Sequence, residues 1–336
     1  MNRRVLTTIA AGCLSCVGAA ALAAEEPCAI RIAAFKGDKP AAVSFTFDDG
    51  SQNQVDIALP IFDEFGIKAT FYVVPGLTRD RKDDPLPRGA RRSRQGGVSW
   101  EEWQAVAEEG DEIGNHSLDH ARLTAVRNPD RLRCEVFDSS GLIAAKIGQP
   151  PLTFAYPYYK ANSRVRAMVL EDHIAAREQG TPYGGMFFTA AKANSYIDHA
   201  IRKRTWLIPV LHGVEEGYAP IKRETLRKHL QYVKEREAEL WIDTFANVSR
   251  YRFEREQAEI RVESRDGNVA RFTVACSLDP EAFNVPLTVI VQPQVGRASS
   301  ATATREGGKA PLPVTVEQGM ILVDVVPGPK PVTVQW

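Results

Sequence analysis

Cysteine is scarce in this chain, five among 336 residues. Cys13 and Cys16 lie inside an N-terminal apolar run. Cys28, Cys134 and Cys276 are an odd number without close spacing, which excludes a disulfide framework and a zinc knuckle. Excess charge is also missing: 42 Lys and Arg stand against 42 Asp and Glu. A chain so balanced is not built as a whole to bind a polyanion, and no nucleic-acid partner is expected. Long hydrophobic runs are absent after the first 24 residues, so no stable membrane span is expected. No internal repeat is visible.

What is present begins with a targeting segment. Arg3 and Arg4 precede an Ala-rich apolar run from Val5 to about Ala24, with Ala21-Leu22-Ala23 as a small-residue cleavage site. This pattern predicts a secretory signal over residues 1–23 and an exported, periplasmic or secreted protein. A lipid anchor on Cys13 would need a very short apolar run before it.

The next 230 or so residues (24–256) alternate strands with helices. Ala41 to Phe47 has period-two patterning, with Val43, Phe45 and Phe47 on one face and Ser44 and Thr46 on the other. Val55 to Phe65 has helical spacing interrupted by Pro60. Lys68–Val74, Asp111–Asn115, Leu152–Tyr156, Trp206–Leu211 and Leu240–Thr244 read as strands. Helices are expected from Ser99, with its capping-box partner Glu102, to Gly110, and over Asp130–Ile147, Arg223–Glu239 and 246–255. Such alternation predicts an α/β fold with a parallel sheet or barrel. From 257 to 336 only short β-type runs remain, separated by Gly, Pro and Asp, which predicts a small all-β sandwich. Ala298 to Thr304 reads as an exposed loop.

Chemistry-bearing residues recur at the predicted strand ends, the face on which barrels assemble their sites. Asp48-Asp49-Gly50 follows the first strand. Neighbouring side chains at a strand end point to different sides, so one carboxylate can ligate a cation while the other takes a proton; the same three letters also make a common polar turn. His116-Ser117-Leu118-Asp119-His120 follows another strand, and two histidines four apart on one helical turn can reach one cation. Two imidazoles and one carboxylate leave open positions, as in a catalytic metal site, and suit Zn, Co, Ni or Mn.

Thr46-Phe47-Asp48-Asp49-Gly50, His116-Ser117-x-x-His120, Phe154-Ala155-Tyr156-Pro157-Tyr158 and Leu211-His212-Gly213 together resemble the polysaccharide deacetylase family, the NodB-homology carbohydrate esterases. The resemblance covers roughly Pro40 to Tyr251. It implies a distorted (β/α) barrel with fewer than eight complete units, one divalent metal ion with zinc the first candidate, and an acetylated oligo- or polysaccharide as substrate. It implies Asp49, His116 and His120 as metal ligands, Asp48 as catalytic base, His212 as catalytic acid, and the Tyr158 N–H as oxyanion donor. Trp206 is similar to an aromatic that walls the acetyl pocket, although a strand tryptophan buried for packing looks the same.

The chain departs from the family pattern at three points. Ala155 stands where an arginine usually orients the base, as in the family's Phe-Ala-Tyr-Pro-Tyr branch. Tyr159 stands where glycine is usual, and is expected to narrow the cleft. The usual carboxylate partner of the acid histidine is not evident; Asp198 is the candidate, and a helix cap is its alternative. The basic stretch from Arg79 to Arg94 can reach over the cleft toward an acidic glycan or form a solvated charged loop, the commoner role for such runs. His173, His199 and His229 are expected to be surface or structural. O-deacetylation, or glycan binding by an inactive barrel, are the alternatives to N-deacetylation.

Overall fold

The computed structural model describes residues 29–93, 96–293 and 297–336. The predicted signal segment, with Cys13 and Cys28, lies outside them.

The α/β part is built on a seven-stranded, all-parallel sheet. Its strands run in the order Ala175–Arg177, Thr153–Ala155, Glu112–Asn115, Thr70–Val73, Thr46–Asp48, Pro209–Leu211, Thr181–Pro182. A second parallel sheet orders Leu240–Ile242, Ala41–Val43 and Trp206–Leu207. The two sheets are linked because predicted single strands break and continue. Ala41–Val43 passes through Ser44 and Phe45 into Thr46–Asp48, and Trp206–Leu207 passes through Ile208 into Pro209–Leu211. The result is a curled, incomplete barrel.

Alternation along the first strand has a physical cause. Phe45 and Phe47 face outward into helices, where Phe45 and Phe47 meet Phe62 edge-on at 5.2 and 5.5 Å, and Phe47 stacks on Phe71 at 5.2 Å. Ser44 and Thr46 face inward, are fully buried, and satisfy their hydroxyls on carbonyls: Ser44 Oγ donates to Thr244 O at 3.3 Å, and Thr46 Oγ1 to Pro209 O at 2.8 Å. Burying these four phenylalanines contributes roughly 2–3 kcal/mol each.

The expected helices form, with adjustments. Pro60 has no N–H to continue an α-ladder, and the segment runs as a wide turn over Gln54–Ala58 followed by an α-helix over Leu59–Glu64. The capping box of Trp100–Glu108 is present, Ser99 Oγ accepting the Glu102 N–H at 3.3 Å and Glu102 accepting the Ser99 N–H at 2.9 Å. The predicted 130–147 helix is Pro129–Arg133, a wide turn at Cys134–Asp138, and Ser139–Ile147, stopped by Gly148 at φ 88°. Helices at Ser163–Leu170 and Ala190–Lys203 complete the outer layer. His173 and His229 are buried and structural, and His199 is on the surface.

The C-terminal part is two four-stranded antiparallel sheets. Two features differ from expectation. Ala298–Thr304 is not an exposed loop throughout: Thr302–Arg305 pairs with Val332–Gln335, and Ala303 is buried. Its small side chains alternate across a strand edge, a pattern too weakly apolar to read as β from composition. Ile30–Ile32, which precedes the barrel in sequence, pairs with Leu287–Val291 in the sandwich. Cys134 and Cys276 are free and half-buried. No helix of the described residues is long and apolar enough to cross a membrane.

Candidate metal and acid–base site

Four strand ends converge on one cleft. Thr46–Asp48 delivers Asp48 and Asp49, Glu112–Asn115 delivers His116 and then His120, Thr153–Ala155 leads to Tyr158, and Pro209–Leu211 delivers His212. The cleft has a volume of about 400 Å³, and Asp48, Asp49, His116, His120, Tyr158 and His212 all border it.

Asp49, His116 and His120 bring one ligand atom each within 4.8 Å of one another. His120 Nε2 lies 3.2 Å and His116 Nε2 3.7 Å from Asp49 Oδ1. His116 Nδ1 donates to the Ala155 carbonyl at 2.7 Å, which fixes its tautomer and leaves the Nε2 lone pair facing the cluster. Burial pushes the His116 pKa down to about 3, against the pull of Asp48, and burial likewise lowers that of His120. Two neutral imidazoles and a carboxylate, with lone pairs converging, fit a divalent cation.

The two histidines do not lie on a helical turn, as their spacing suggests. They belong to a loop with Ser117 and His120 in the left-handed region, at φ 65° and 55°. Side chains from elsewhere hold that loop. Asn115 Oδ1 accepts from the Ser117 N–H at 3.0 Å and from Ser139 Oγ at 2.7 Å, while Glu135 Oε2 accepts the Asp119 N–H at 3.0 Å. Asp49, Tyr158 and Tyr159 are also left-handed, so five of the ten non-glycine residues with positive φ among the described residues sit at this cleft. Such concentration marks strain kept for function.

Asp48 has the partner that Ala155 cannot supply. Arg177 Nη2 donates to both Asp48 oxygens at 2.5 Å, and Arg177 is 1% exposed. Ala155 and Arg177 are register partners on adjacent strands. The guanidinium therefore arrives from one strand further along the sheet, beneath the rings of Tyr72 and Tyr159 at 5.1 and 5.4 Å. Burial opposes the Asp48 charge, but Arg177, with His116 and His212, outweighs it and holds the carboxyl below its ordinary value. Arg177 carried no local signal in the sequence. The only hint was the missing arginine at 155 and a lone basic residue, two strands' worth of chain later, in an otherwise small-residue run.

Gln54 was also missed. Its Nε2 donates to the Asp48 carbonyl and to the His212 carbonyl, each at 2.6 Å, bracing one strand end against the other. Asn53 extends the brace, accepting the Val214 N–H at 3.1 Å and donating to Glu216 O at 3.2 Å. The Asp49 carbonyl accepts the Gly96 N–H at 2.8 Å. Gly96 is held at φ +67°, and a Cβ there would stand 2.4 Å from the Leu77 carbonyl oxygen, so this docking requires glycine.

Two expected participants lie elsewhere. Trp206 stands outside the cleft: it starts its strand segment, His212 follows six residues on, and about 3.3 Å per residue separates them. Its Nε1 donates to Ser44 Oγ at 3.0 Å and its ring packs on Phe245 at 4.9 Å. Asp198 does not meet His212. It sits within Ala190–Lys203, accepts the Tyr232 hydroxyl at 2.5 Å and faces Arg236 at 3.8 Å. His212 instead packs against the ring of Tyr218, which borders the cleft, at 4.9 Å. Tyr159 also walls the cleft. Of the basic stretch, Arg81 faces Glu101 at 3.6 Å and Lys82 faces Glu102 at 3.0 Å, so these two charges are paired within the chain, while Arg79 bonds the neutral Gln52 amide at 3.1 Å.

Residues 36–174 match the family model described as Polysaccharide deacetylase. A gellan lyase from Bacillus sp is 24% identical over 88% of this chain and 13% of its own length. YxkH of Bacillus subtilis (strain 168), whose name assigns it provisionally to the polysaccharide deacetylases, is 24% identical over 41% of this chain and 48% of its own. The chain therefore spans less than half the length of either relative. The solved structure of the Bc1960 peptidoglycan N-acetylglucosamine deacetylase is 18% identical, with a TM-score of 0.45 over 63% of this chain and 88% of that one.

Proposed function

We propose that this chain, whose barrel belongs to the polysaccharide deacetylase family, is an exported hydrolase that removes N-acetyl groups from the amino sugars of a glycan. The observation that carries the proposal is one cleft holding a cation-binding triad, an arginine-paired carboxylate and an imidazole. Export is read from residues 3–24.

Asp49, His116 and His120 would hold a divalent cation, which when bound lowers the pKa of water and polarises the acetyl carbonyl. Asp48, kept ionised and oriented by Arg177, accepts a proton from the attacking water. The Tyr158 N–H stabilises the developing oxyanion. His212, on the strand beside Asp48, gives its proton to the departing nitrogen, because an amine leaves poorly as its anion. Water's oxygen ends in acetic acid with one of its hydrogens; the other passes to Asp48 and replaces the proton that His212 gave to the amine, so both side chains return to their starting states. Tyr159, Tyr218 and Tyr158 give the cleft the aromatic lining suited to sugar rings.

The test is acetate release from N-acetylglucosamine oligomers, beside acetylated xylan as the O-ester control. The oligomers are expected to be cleaved, activity to vanish on chelation, and Zn, Co, Ni or Mn to restore it. His116→Ala or His120→Ala is expected to lose the metal, whereas Asp48→Asn keeps the metal and loses turnover by ~10²-fold or more. Turnover by Asp48→Asn at the wild-type rate would refute the base assignment, and cleavage of xylan alone would make the enzyme an esterase.

A further inference from the structure

A second cavity, of about 560 Å³, opens at the seam where the barrel fails to close. The edge strand Ala175–Arg177 there faces Thr205 and Trp206 without pairing with them. It shares no lining residue with the catalytic cleft. Arg204, Arg252 and Arg255 all line it.

Little in the chain neutralises these guanidiniums. Glu178, the acid on the lining, is taken by Arg166 in a two-pronged bond at 2.6 and 2.7 Å. Arg252 has Glu256 at 3.8 Å. Among the described residues no ion pair reaches Arg204 or Arg255. Like charges gathered around one hollow repel each other, and an anion placed among them removes that cost.

Arg204 adds an independent sign. It ends the helix Ala190–Lys203 at φ 55° and ψ 52°, the left-handed position that glycine favours. An L side chain there costs roughly 1 kcal/mol. The chain nevertheless places an arginine at that position, on the wall of a cavity, with no internal carboxylate to hold. Arg252 lies 5.5 Å over the Trp206 ring, whose other packing partner is Phe245. The indole orders the guanidinium rather than offering itself for stacking.

We propose that this seam binds the carboxylate of an acidic sugar residue. Planar guanidinium forks match carboxylates in two-pronged geometry. Gln179 and Thr205 on the same lining offer amide and hydroxyl groups to ring hydroxyls, and Phe35 and Ile208 give a dry wall. A volume of this order suits one or two sugar rings. Arg177, the partner of Asp48, also lies on this wall but is held by that carboxylate; the assignment uses Arg204, Arg252 and Arg255, which are not part of the cleft, and so stands apart from the deacetylase reading.

The test is calorimetric titration of the full chain with a glucuronic acid oligomer, a neutral glucose oligomer of equal length and inorganic phosphate, at 50 and 150 mM salt. The acidic oligomer is expected to bind at least tenfold more tightly than the other two. Arg204→Gly and Arg255→Gln are each expected to weaken it about tenfold. Arg204→Gly supplies the residue its backbone favours, so its Tm should match or exceed the wild type, and lost affinity is then not lost folding. Acetate release from a short neutral acetylated oligomer should be unchanged in both variants. Equal binding of the neutral oligomer, phosphate as tight as the acidic oligomer, or undiminished affinity in both variants would overturn the proposal. Absent acetate release would count against the deacetylase reading alone.

Discussion

Arg177 decides how Asp48 behaves. A buried carboxylate without a partner would take up a proton, and a protonated Asp48 has no use as a base. Arg177→Ala should therefore cost the folded state ~3–5 kcal/mol, since it strands a buried charge, and should lower kcat/KM by ~10²-fold or more while leaving metal content intact. Arg177→Lys should recover only part of this, because one Nη2 grips both Asp48 oxygens and an ammonium could take that place, but it lacks the planar group that packs beneath the Tyr72 and Tyr159 rings. The sharper measurement is rescue. Ala155 pairs with Arg177 in register across the sheet, so Ala155→Arg in the Arg177→Ala background should recover part of the lost kcat. Stability measured by urea unfolding and kcat measured on the same samples separate the two roles: a purely structural arginine would restore the first and not the second.

Gln54 links two elements that carry opposite halves of the chemistry. The Asp48 and His212 carbonyls, each 2.6 Å from its amide, end adjacent strands. Gln54→Leu should leave both carbonyls without that donor, cost ~1–3 kcal/mol, and lower kcat about tenfold with KM and metal content nearly unchanged. A fall in metal content would show that the brace holds Asp49 instead. The same element explains what could be read from sequence. Asp48, Asp49, His116 and His212 were legible because each sits at or directly after a strand end, where local patterning gives position, and His120 because it stands four residues from His116. Gln54 and Arg177 were not, because their roles come from which strands lie side by side, and a linear pattern does not state sheet order. The loop around His116 failed for a related reason: its left-handed residues are imposed by Asn115, Glu135 and Ser139, the last two from a neighbouring segment. The split strands were missed because Ser44–Phe45 and Ile208 keep the alternation while leaving the ladder. In the sandwich, Thr302–Arg305 lacks the run of apolar residues that marks a strand such as Leu287–Val291.

The barrel and the sandwich are joined through one apolar cluster. Phe35, Trp241, Val248 and Tyr251 from the α/β side pack with Phe272, Val289 and Val323 from the β side. Ile30–Ile32 reinforces the joint by adding a strand to the sandwich, and the Tyr251 hydroxyl donates to Ala33 O at 3.0 Å. Glu254 sits at this joint on the helix Phe245–Gln257, fully buried. Its Oε2 accepts the Val285 N–H at 3.2 Å, its backbone carbonyl accepts from Cys276, and Arg250 is the cation acting on it. Burial raises its pKa to about 7, and the Val285 N–H and Arg250 only partly oppose this. Because the folded state holds the proton more tightly than the unfolded chain, stability from this group is complete below the ordinary Glu value near 4.5 and is lost as pH rises through about 7. The loss by pH 8 is at most about 3 kcal/mol. Glu254→Gln keeps the shape and removes the charge, so it should match the wild type near pH 4.5 and be the more stable at pH 8. Urea midpoints of both proteins across that range test this. Parallel curves would mean that Glu254 titrates normally and that the joint tolerates its charge. Converging curves at low pH would show that the protonated Glu254 strengthens the joint between the two parts in acid.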